Sequence, residues 1–250
     1  FGSSPLWFKW PSAGTFCLLP GMGCVSAKFT EDEDQFFKKP ATGELQSLCD
    51  DLLVESITKL IFRKMPQDAR EDFVVRTAGG VEVLRCAAAP GRMRLCTMEG
   101  GFVCAIVFEV HYSEVNAVDA AFNLPQVYIY AQRPFLEGQG PSEVKEADGA
   151  LYVWARVHKV SNIGTPKYEL AFAEFQGRPA EGDMGKFGYT CFTSTLYPDG
   201  RMEIKRNGSG CCRVDYANEE KTDYAVSLAQ WMDPALMLCT IMGMETLKGR

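Results

Sequence analysis

The sequence predicts a mainly β protein: an antiparallel, closed β-barrel of about twelve strands around a buried hydrophobic C-terminal helix, with an N-terminal amphipathic helix beside it. Three observations lead to this prediction. From residue 72 onward, short apolar runs alternate in the manner of half-buried strands. Glycine-containing turn sequences separate these runs, as they do in hairpins. Near the C-terminus one segment is apolar on every side, so it must be buried on every side.

The predicted strands are rich in β-branched and aromatic residues, and the turn sequences between several of them are AGG, EGG, PDG and NGS. The Asn207–Gly208 pair is typical of a type I′ hairpin turn. Short strands joined by tight turns indicate an antiparallel barrel or sandwich rather than an α/β fold. The clear runs are DFVVRT, VEVLRC, RMRLCTM, FVCAIVFEV, QVYIYAQ, LYVWARVHKV, KYELAFAEF, YTCFTSTLY, RMEIKR, CCRVDY and DYAVSLA, and SEVKEA is a weaker one.

Residues 234–247 predict a helix that fills the barrel as a plug. Asp233 is a good N-cap, and Pro234 suits the first helical position. At ~1.5 Å per residue the helix is roughly 20 Å long, shorter than the ~30 Å that a bilayer requires. A dozen antiparallel strands close around a space too wide for their own side chains, and this helix fits that space. The candidate plug residues are Leu236, Leu238, Ile241 and Met242.

The N-terminal part predicts two further segments ahead of the barrel, which spans residues 72–250. Residues 42–65 have apolar side chains at the i, i+3, i+4 spacing of an amphipathic helix packed on the barrel. Residues 1–41 form an irregular arm rich in glycine, proline and aromatic side chains. Its aromatic cluster either packs back on the domain or anchors the chain on a partner, since amphipathic rings are favoured at interfaces. The candidate partner-binding residues are Trp7, Phe8 and Trp10.

Composition argues against several classes of function. The chain of 250 residues has a net charge of −6, which argues against nucleic-acid binding and weakens attraction to anionic lipids. No run reaches the ~18 apolar residues of a transmembrane helix, so we expect no membrane-spanning segment. The ten cysteines include no C-x-x-C pair, which favours reduced, structural thiols over a zinc site or a disulfide framework.

No motif in the chain indicates a reaction, so we expect no catalytic residue, cofactor or metal. The two histidines, His111 and His158, both lie near predicted strand ends, where a structural role is the ordinary one. A serine between glycines at residues 208–210 lacks the G-x-S-x-G spacing of a nucleophile elbow. The glycine pairs in PGMGC and EGQGP fall short of a phosphate-binding loop.

Two segments resemble a known family. FVVRTAGGVEVLRC is similar to the opening hairpin of LURP-one-related proteins, and DPALMLCTIMGMETL is similar to the central helix of the tubby C-terminal-like fold. Tubby proteins, phospholipid scramblases and LURP-one-related proteins share that fold, and the resemblance covers roughly residues 72–247. It implies a barrel with a central helix and an association with membranes. Tubby domains bind phosphoinositides through basic surface residues, and the candidates here are Lys205 and Arg206.

These observations favour a non-catalytic, peripheral accessory subunit that docks on a larger membrane-bound protein complex. The chain begins with Phe1 rather than methionine, which fits either removal of a targeting peptide or a missing end. We therefore expect an organelle, a chloroplast more than a mitochondrion, with a photosynthetic or respiratory complex as the partner and a cytoplasmic location as the alternative. The alternative function is phosphoinositide or anionic-lipid binding at a membrane surface.

Overall fold

The structure of the chain is a computed structural model that describes residues 33–37, 47–64, 71–112, 125–145, 149–161, 166–174 and 186–248. These ranges contain thirteen strands and two α-helices. The helices are α1 (Glu33–Phe36) and α2 (Pro234–Leu247). The strands are β1 (Thr58–Arg63), β2 (Phe73–Thr77), β3 (Glu82–Ala89), β4 (Arg92–Cys96), β5 (Phe102–Tyr112), β6 (Pro125–Ala131), β7 (Glu143–Lys145), β8 (Gly149–Ser161), β9 (Lys167–Glu174), β10 (Lys186–Leu196), β11 (Met202–Arg206), β12 (Ser209–Tyr216) and β13 (Asp223–Leu228).

The strands close into an antiparallel barrel of twelve, which confirms the predicted fold class. The order around the ring is β6-β5-β4-β3-β2-β1-β13-β12-β11-β10-β9-β8, and pairing of β6 with β8 closes it. Most neighbours in the ring are consecutive hairpins, as the turn sequences predict. The weak run SEVKEA forms β7, which pairs only with the first residues of β8 and lies outside the ring.

The predicted helix over residues 42–65 is wrong for its described part, residues 47–64. A short 3₁₀ turn spans Asp50–Leu52, and the rest of the helical pattern is replaced by β1. This strand pairs with both β2 and β13, so the barrel begins at Thr58 rather than at residue 72. The side chains of Leu60 and Phe62 point into the core, as alternate residues of a strand do, whereas Ile57 is exposed. Ile57 and Ile61 are four residues apart, which is also the spacing of apolar residues on one face of a helix.

Helix α2 lies within the ring and is buried on all faces, as predicted. Every residue from Pro234 to Leu247 except Thr246 is buried, and the helix packs on β5, β6 and β8. Leu236, Leu238, Ile241 and Met242 are each 1% exposed. Asp233 is the N-cap, and its side chain accepts hydrogen bonds from the backbone N–H groups of Ala235 and Leu236. None of the helices in the described ranges is long and apolar enough to cross a membrane.

The barrel has two ends, which the direction of α2 distinguishes. We call the end at which α2 begins the upper end and the other the lower end. Strand β13 ends at the upper end, shortly before α2, and its last residue, Leu228, pairs with Thr58, the first residue of β1. Because successive strands run in opposite directions, the β2–β3 turn and the β4–β5 turn also lie at the upper end. The β11–β12 turn is also there, and both Asn207 (φ 51°) and Gly208 (φ 78°) have the positive φ of the predicted type I′ turn.

Candidate binding surfaces

The interior of the barrel is occupied by its own helix. Gly243 shows how closely: a Cβ atom at this position would lie 2.9 Å from Cβ of Val157 on β8 and 3.2 Å from a methyl group of Val127 on β6. Cys239 of the helix lies against β5, with its Sγ atom 3.6 Å from Sγ of Cys104. Such contacts pack the helix closely against the apolar side chains of β5, β6 and β8.

Segment 47–54 closes the upper end over the start of α2. The Asp233 carboxylate accepts hydrogen bonds from the backbone N–H groups of Leu48 and Cys49, in addition to the two from the helix. Burial raises the pKa of Asp233, and these four backbone donors oppose that shift. Val54 exchanges backbone hydrogen bonds with Trp231 and Met232. The N-cap that the sequence predicts therefore also joins two distant parts of the chain.

At the lower end α2 terminates in a polar contact. The Tyr224 hydroxyl donates a 2.7 Å hydrogen bond to Glu245, and its ring stacks on Tyr216 with the centroids 5.5 Å apart. The Lys64 ammonium lies 5.1 Å from the Tyr216 centroid and 5.5 Å from that of Tyr224. Burial and the neighbouring Glu245 carboxylate raise the pKa of Tyr224. The C-terminal end of the helix is thus fixed by side chains from other parts of the chain, which the helix pattern alone does not show.

Lys205 and Arg206, the predicted lipid-binding pair, take part in separate contacts. The Lys205 ammonium lies 3.2 Å from the Glu203 carboxylate. Arg206 is only 8% exposed, and its guanidinium lies 5.8 Å from the centroid of the Phe192 ring. Both cations are therefore engaged within the chain instead of standing together as an exposed pair.

The aromatic ring of Phe36 in α1 packs on β11 and β12, at a surface that we call the Phe36 cradle. The residues of the cradle that lie against the ring are Lys205, Gly210 and Arg213. The Arg213 guanidinium lies 4.2 Å from the ring centroid and the Lys205 ammonium 5.4 Å from it. Both distances are within the range of a cation–π interaction. The sequence offers no signal for this contact, because α1 and the cradle are far apart along the chain.

A polar cluster lies on the outer face of β6, β8 and β9. Gln126 donates a 2.8 Å hydrogen bond to the Tyr128 hydroxyl and accepts one of 2.8 Å from Arg156. His158 on β8 lies beside Glu169 on β9, with Nε2 and Oε2 3.4 Å apart. The strand register aligns these side chains across three neighbouring strands.

Within this polar cluster His158 is held in its neutral form. Burial and the Arg156 charge lower the pKa of His158 to about 4, against the opposing effect of Glu169. Its Nδ1 atom is buried and has no hydrogen-bond partner among the described residues. The other histidine, His111, packs edge-on against the Tyr128 ring with centroids 5.1 Å apart. The two histidines that the sequence places on separate strands therefore belong to one region of the surface.

Exposed apolar side chains gather at the upper end. Of the five large hydrophobic residues that are exposed in the described ranges, four lie there, and we call these four the apolar rim. Their exposed fractions are 48% for Ile57, 57% for Val81, 39% for Met98 and 46% for Trp231. They occupy the start of β1, the β2–β3 turn, the β4–β5 turn and the β13–α2 connection, which follow one another around the ring. Val160, the fifth, lies near the lower end.

Trp231 presents its ring from a backbone conformation that non-glycine residues rarely adopt. Its φ is 65°, in the left-handed region. The backbone N–H group donates a 2.7 Å hydrogen bond to the carbonyl oxygen of Val54, which fixes this conformation. A bulky residue held exposed at a backbone cost of order 1–3 kcal/mol is a candidate for a functional role.

The cysteines and acidic residues of the described ranges offer no further site. Seven cysteines there form no disulfide, and burial raises the pKa of Cys86, Cys104 and Cys212 well above the ordinary thiol value. Inert, buried thiols are the structural kind. No group of three or more His, Cys, Asp or Glu side chains in these ranges is placed to hold a metal ion. Trp7, Phe8 and Trp10 lie outside the described residues, so their partner-binding role stays a prediction.

Comparison with known proteins assigns neither a family nor a function to the chain. No family model matches the chain, and no curated protein is similar to it. Among solved structures, the chain is similar to the crystal structure of a protein from Arabidopsis thaliana, with a TM-score of 0.46 and 8% sequence identity. The matched region covers 79% of this chain and 95% of that chain. A similarity at this level does not assign a family, so the resemblance to tubby-like and LURP-one-related proteins stays a prediction.

Proposed function

We propose that this chain is a non-catalytic, peripheral accessory subunit that docks on a larger protein assembly through the apolar rim at its upper end. The supporting observation is the position of its exposed apolar side chains, four of which are gathered at one end of the barrel. Scattered surface hydrophobics are ordinary, whereas a cluster that includes a tryptophan is typical of an interface.

The filled interior supports an external rather than an internal binding site. Barrels that hold a small ligand keep a cavity, but here α2 takes that space and contacts the strands directly. A hydrophobic ligand inside the barrel would have to displace part of this helix. The outer surface and the two ends are therefore the parts of the molecule on which we place the function.

The charge around the apolar rim favours a protein partner over an anionic membrane. Exposed glutamates lie next to two of its members, Glu55 two residues before Ile57 and Glu99 directly after Met98. The glutamate beside Val81, Glu82, is paired with Arg76 at 3.0 Å. An acidic border repels anionic head groups and matches a basic border on a partner. We therefore propose an apolar contact face fringed by lysine or arginine on the partner protein. The arm residues Trp7, Phe8 and Trp10 are proposed as a second anchor.

The test replaces rim residues by lysine and follows co-migration with the native assembly. We expect Ile57→Lys and Trp231→Lys each to weaken docking by about 2 kcal/mol or more, roughly 30-fold, because a charge would be buried in an apolar contact. Val160→Lys is the matched control, since Val160 is also an exposed apolar residue but lies near the other end of the barrel. If all three variants co-migrate with the assembly to the same extent as the wild-type chain, docking through the upper end is refuted.

Double substitution of the arm tests the second anchor. Trp7→Ala combined with Trp10→Ala should release the protein from its assembly while the barrel still unfolds cooperatively. Release without unfolding is the expected result, because the arm precedes every strand of the barrel. Unchanged co-migration of this double variant would remove the arm from the proposal and leave the apolar rim alone.

The alternative function, anionic-lipid binding through Lys205 and Arg206, receives no support from the contacts that these two side chains make. It predicts flotation with anionic vesicles that is lost on Lys205→Glu with Arg206→Glu and weakened by salt. Because both cations are engaged within the chain, this function would require that they first leave their present partners.

A further inference from the structure

A second recognition site, separate from the apolar rim, lies at the Phe36 cradle. We propose that this cradle is a binding site for an aromatic side chain on an acidic segment, and that residues 33–37 of the same chain occupy it in cis. A partner protein with an aromatic residue behind a run of carboxylates would then bind there when this segment leaves. The inference does not rest on docking through the upper end.

The cationic wall of the cradle is held by contacts among β11, β12 and Tyr197, none of which involves Phe36. Arg213 is 3% exposed, and its guanidinium donates a 2.8 Å hydrogen bond to the Glu203 carboxylate. Glu203 also accepts a 3.0 Å hydrogen bond from the Tyr197 hydroxyl and lies 3.2 Å from the Lys205 ammonium. Burial alone would raise the pKa of Glu203, but these three partners lower it below its ordinary value. A guanidinium fixed in this way loses little freedom when a ring packs on it.

The floor of the cradle requires glycine. A Cβ atom at Gly210 would lie 2.3 Å from the carbonyl oxygen of Phe36 and 2.5 Å from two of its ring carbons. Neither contact is possible, so any other residue on this part of β12 would push the segment away. Close approach of a foreign backbone is one of the reasons for glycine inside a strand. The residue at the floor thus fits the approach of a peptide segment, not only of a side chain.

The occupant indicates the chemistry of the partner. Phe36 follows the run Glu31-Asp32-Glu33-Asp34, and the cradle offers the cations Lys205 and Arg213. The ring lies over both cations, and in the partner that we propose carboxylates preceding the ring along the chain complement this positive wall. Phe37 packs edge-on against Phe36 with centroids 4.9 Å apart and is also buried. A partner segment of the same composition would meet the same surface.

Because residues 33–37 occupy the cradle in cis, they regulate its access by competing with any partner for it. A segment tethered by a short linker has an effective concentration in the millimolar range, so a free partner competes at a disadvantage. Loss of Phe36 removes that competitor and leaves the cradle open. The full chain with Phe36→Ala should therefore bind an added peptide at least ten times more tightly than the wild-type chain does.

The experiment uses the full chain and a labelled synthetic peptide of residues 28–40, with binding measured by fluorescence anisotropy. The Phe36→Ala chain should bind this peptide, and the wild-type chain should bind it at least tenfold more weakly. Adding Arg213→Met to Phe36→Ala should abolish binding, whereas adding Arg76→Met should not, because Arg76 is exposed and lies on β2. A peptide that carries alanine in place of Phe36 should not bind.

Three outcomes would overturn the proposal. One is equal affinity of the wild-type and Phe36→Ala chains for the peptide; another is binding that survives Arg213→Met. The third is flotation of the Phe36→Ala chain with vesicles of phosphatidylcholine and phosphatidylserine while the peptide does not bind, which would make the surface a lipid site.

If Phe36→Ala impairs folding, amide hydrogen exchange of Arg213→Met supplies the test: exchange of residues 33–37 should rise at least tenfold while α2 stays protected. Unchanged exchange there would equally refute the proposal.

Discussion

Alanine substitution at three consecutive positions of α2 tests whether the helix is enclosed on every side. Leu236, Met237 and Leu238 point in directions about 100° apart, so together they sample most of the circumference. Each is at most 1% exposed. A helix on the surface of the barrel would have at least one side on which truncation costs little.

The expected loss follows from the atoms removed. Each substitution removes about three buried carbon or sulfur atoms, which is roughly 2–2.5 kcal/mol of transfer free energy at ~0.8 kcal/mol per methylene. The cavity left behind adds to this, so each variant should lose about 2–5 kcal/mol. Thr246→Ala is the matched control, because Thr246 is the one residue of α2 that is not buried; it should change stability by less than about 1 kcal/mol.

Urea unfolding followed by circular dichroism measures these losses as shifts of the midpoint at constant slope. All three variants should unfold at clearly lower urea than the wild-type chain and the Thr246→Ala control. A loss below about 1 kcal/mol at any one of the three positions would show that this side of the helix faces solvent, and the enclosed helix would be refuted.

Three further predictions concern single contacts. Gly243→Ala should destabilise the chain by about 1–3 kcal/mol although alanine is the better helix former, because its Cβ atom would lie 2.9 Å from both Cβ and Cγ2 of Val157. Since Val157→Ala removes Cγ2, the losses caused by Gly243→Ala and Val157→Ala should be less than additive in urea unfolding, and full additivity would contradict the contact. Since the pKa of His158 is lowered to about 4 from 6.5, the unfolded chain takes up its proton first, and up to about 3 kcal/mol of stability should be lost as the pH falls from 6.5 to 4. His158→Gln should flatten that part of the pH–stability curve, and an unchanged curve would contradict the assignment. Asp233→Ala should lower the free energy of unfolding by about 3–5 kcal/mol, because it removes the helix cap and leaves buried N–H groups of segment 47–54 without an acceptor. Asp233→Asn keeps an acceptor and should lower it by less. Equal losses for the two variants would argue against this role of Asp233.

The barrel and its helix follow from the sequence because both depend on local patterns. The period of two along the strands, the turn pair Asn207–Gly208 and the cap at Asp233 each act within a few residues. Only the interior of the barrel can cover every side of the all-apolar segment. These features agree with one another, and they are the parts of the fold that the structure confirms.

The error at β1 arose from a pattern that fits two structures. Ile57, Leu60 and Ile61 satisfy a helical spacing, whereas the alternation that buries Leu60 and Phe62 becomes decisive only when β2 and β13 lie on either side. Tertiary pairing therefore outweighs the local preference of this segment. The local sequence of β1 does not contain that information, because it depends on which strands pair with β1 in the fold.

The Phe36 cradle could not be predicted, for a more specific reason. In a regular two-residue hairpin Glu203 would pair with Cys212, but a bulge after Ile204 shifts the register, so that Glu203 pairs with Arg213. One extra residue therefore creates the ion pair that holds the cationic wall. The apolar rim was missed for a related reason, because its members belong to four separate connections that meet only when the barrel closes.

The measurement that tests the proposed function most directly is the native size of the endogenous protein after mild detergent extraction, with mass spectrometry of whatever co-migrates. Docking through the apolar rim predicts migration in a larger assembly with a stoichiometric protein partner, and loss of that partner in the Trp231→Lys variant but not in Val160→Lys. Migration of the wild-type protein at the mass of a single chain would contradict the proposed accessory role.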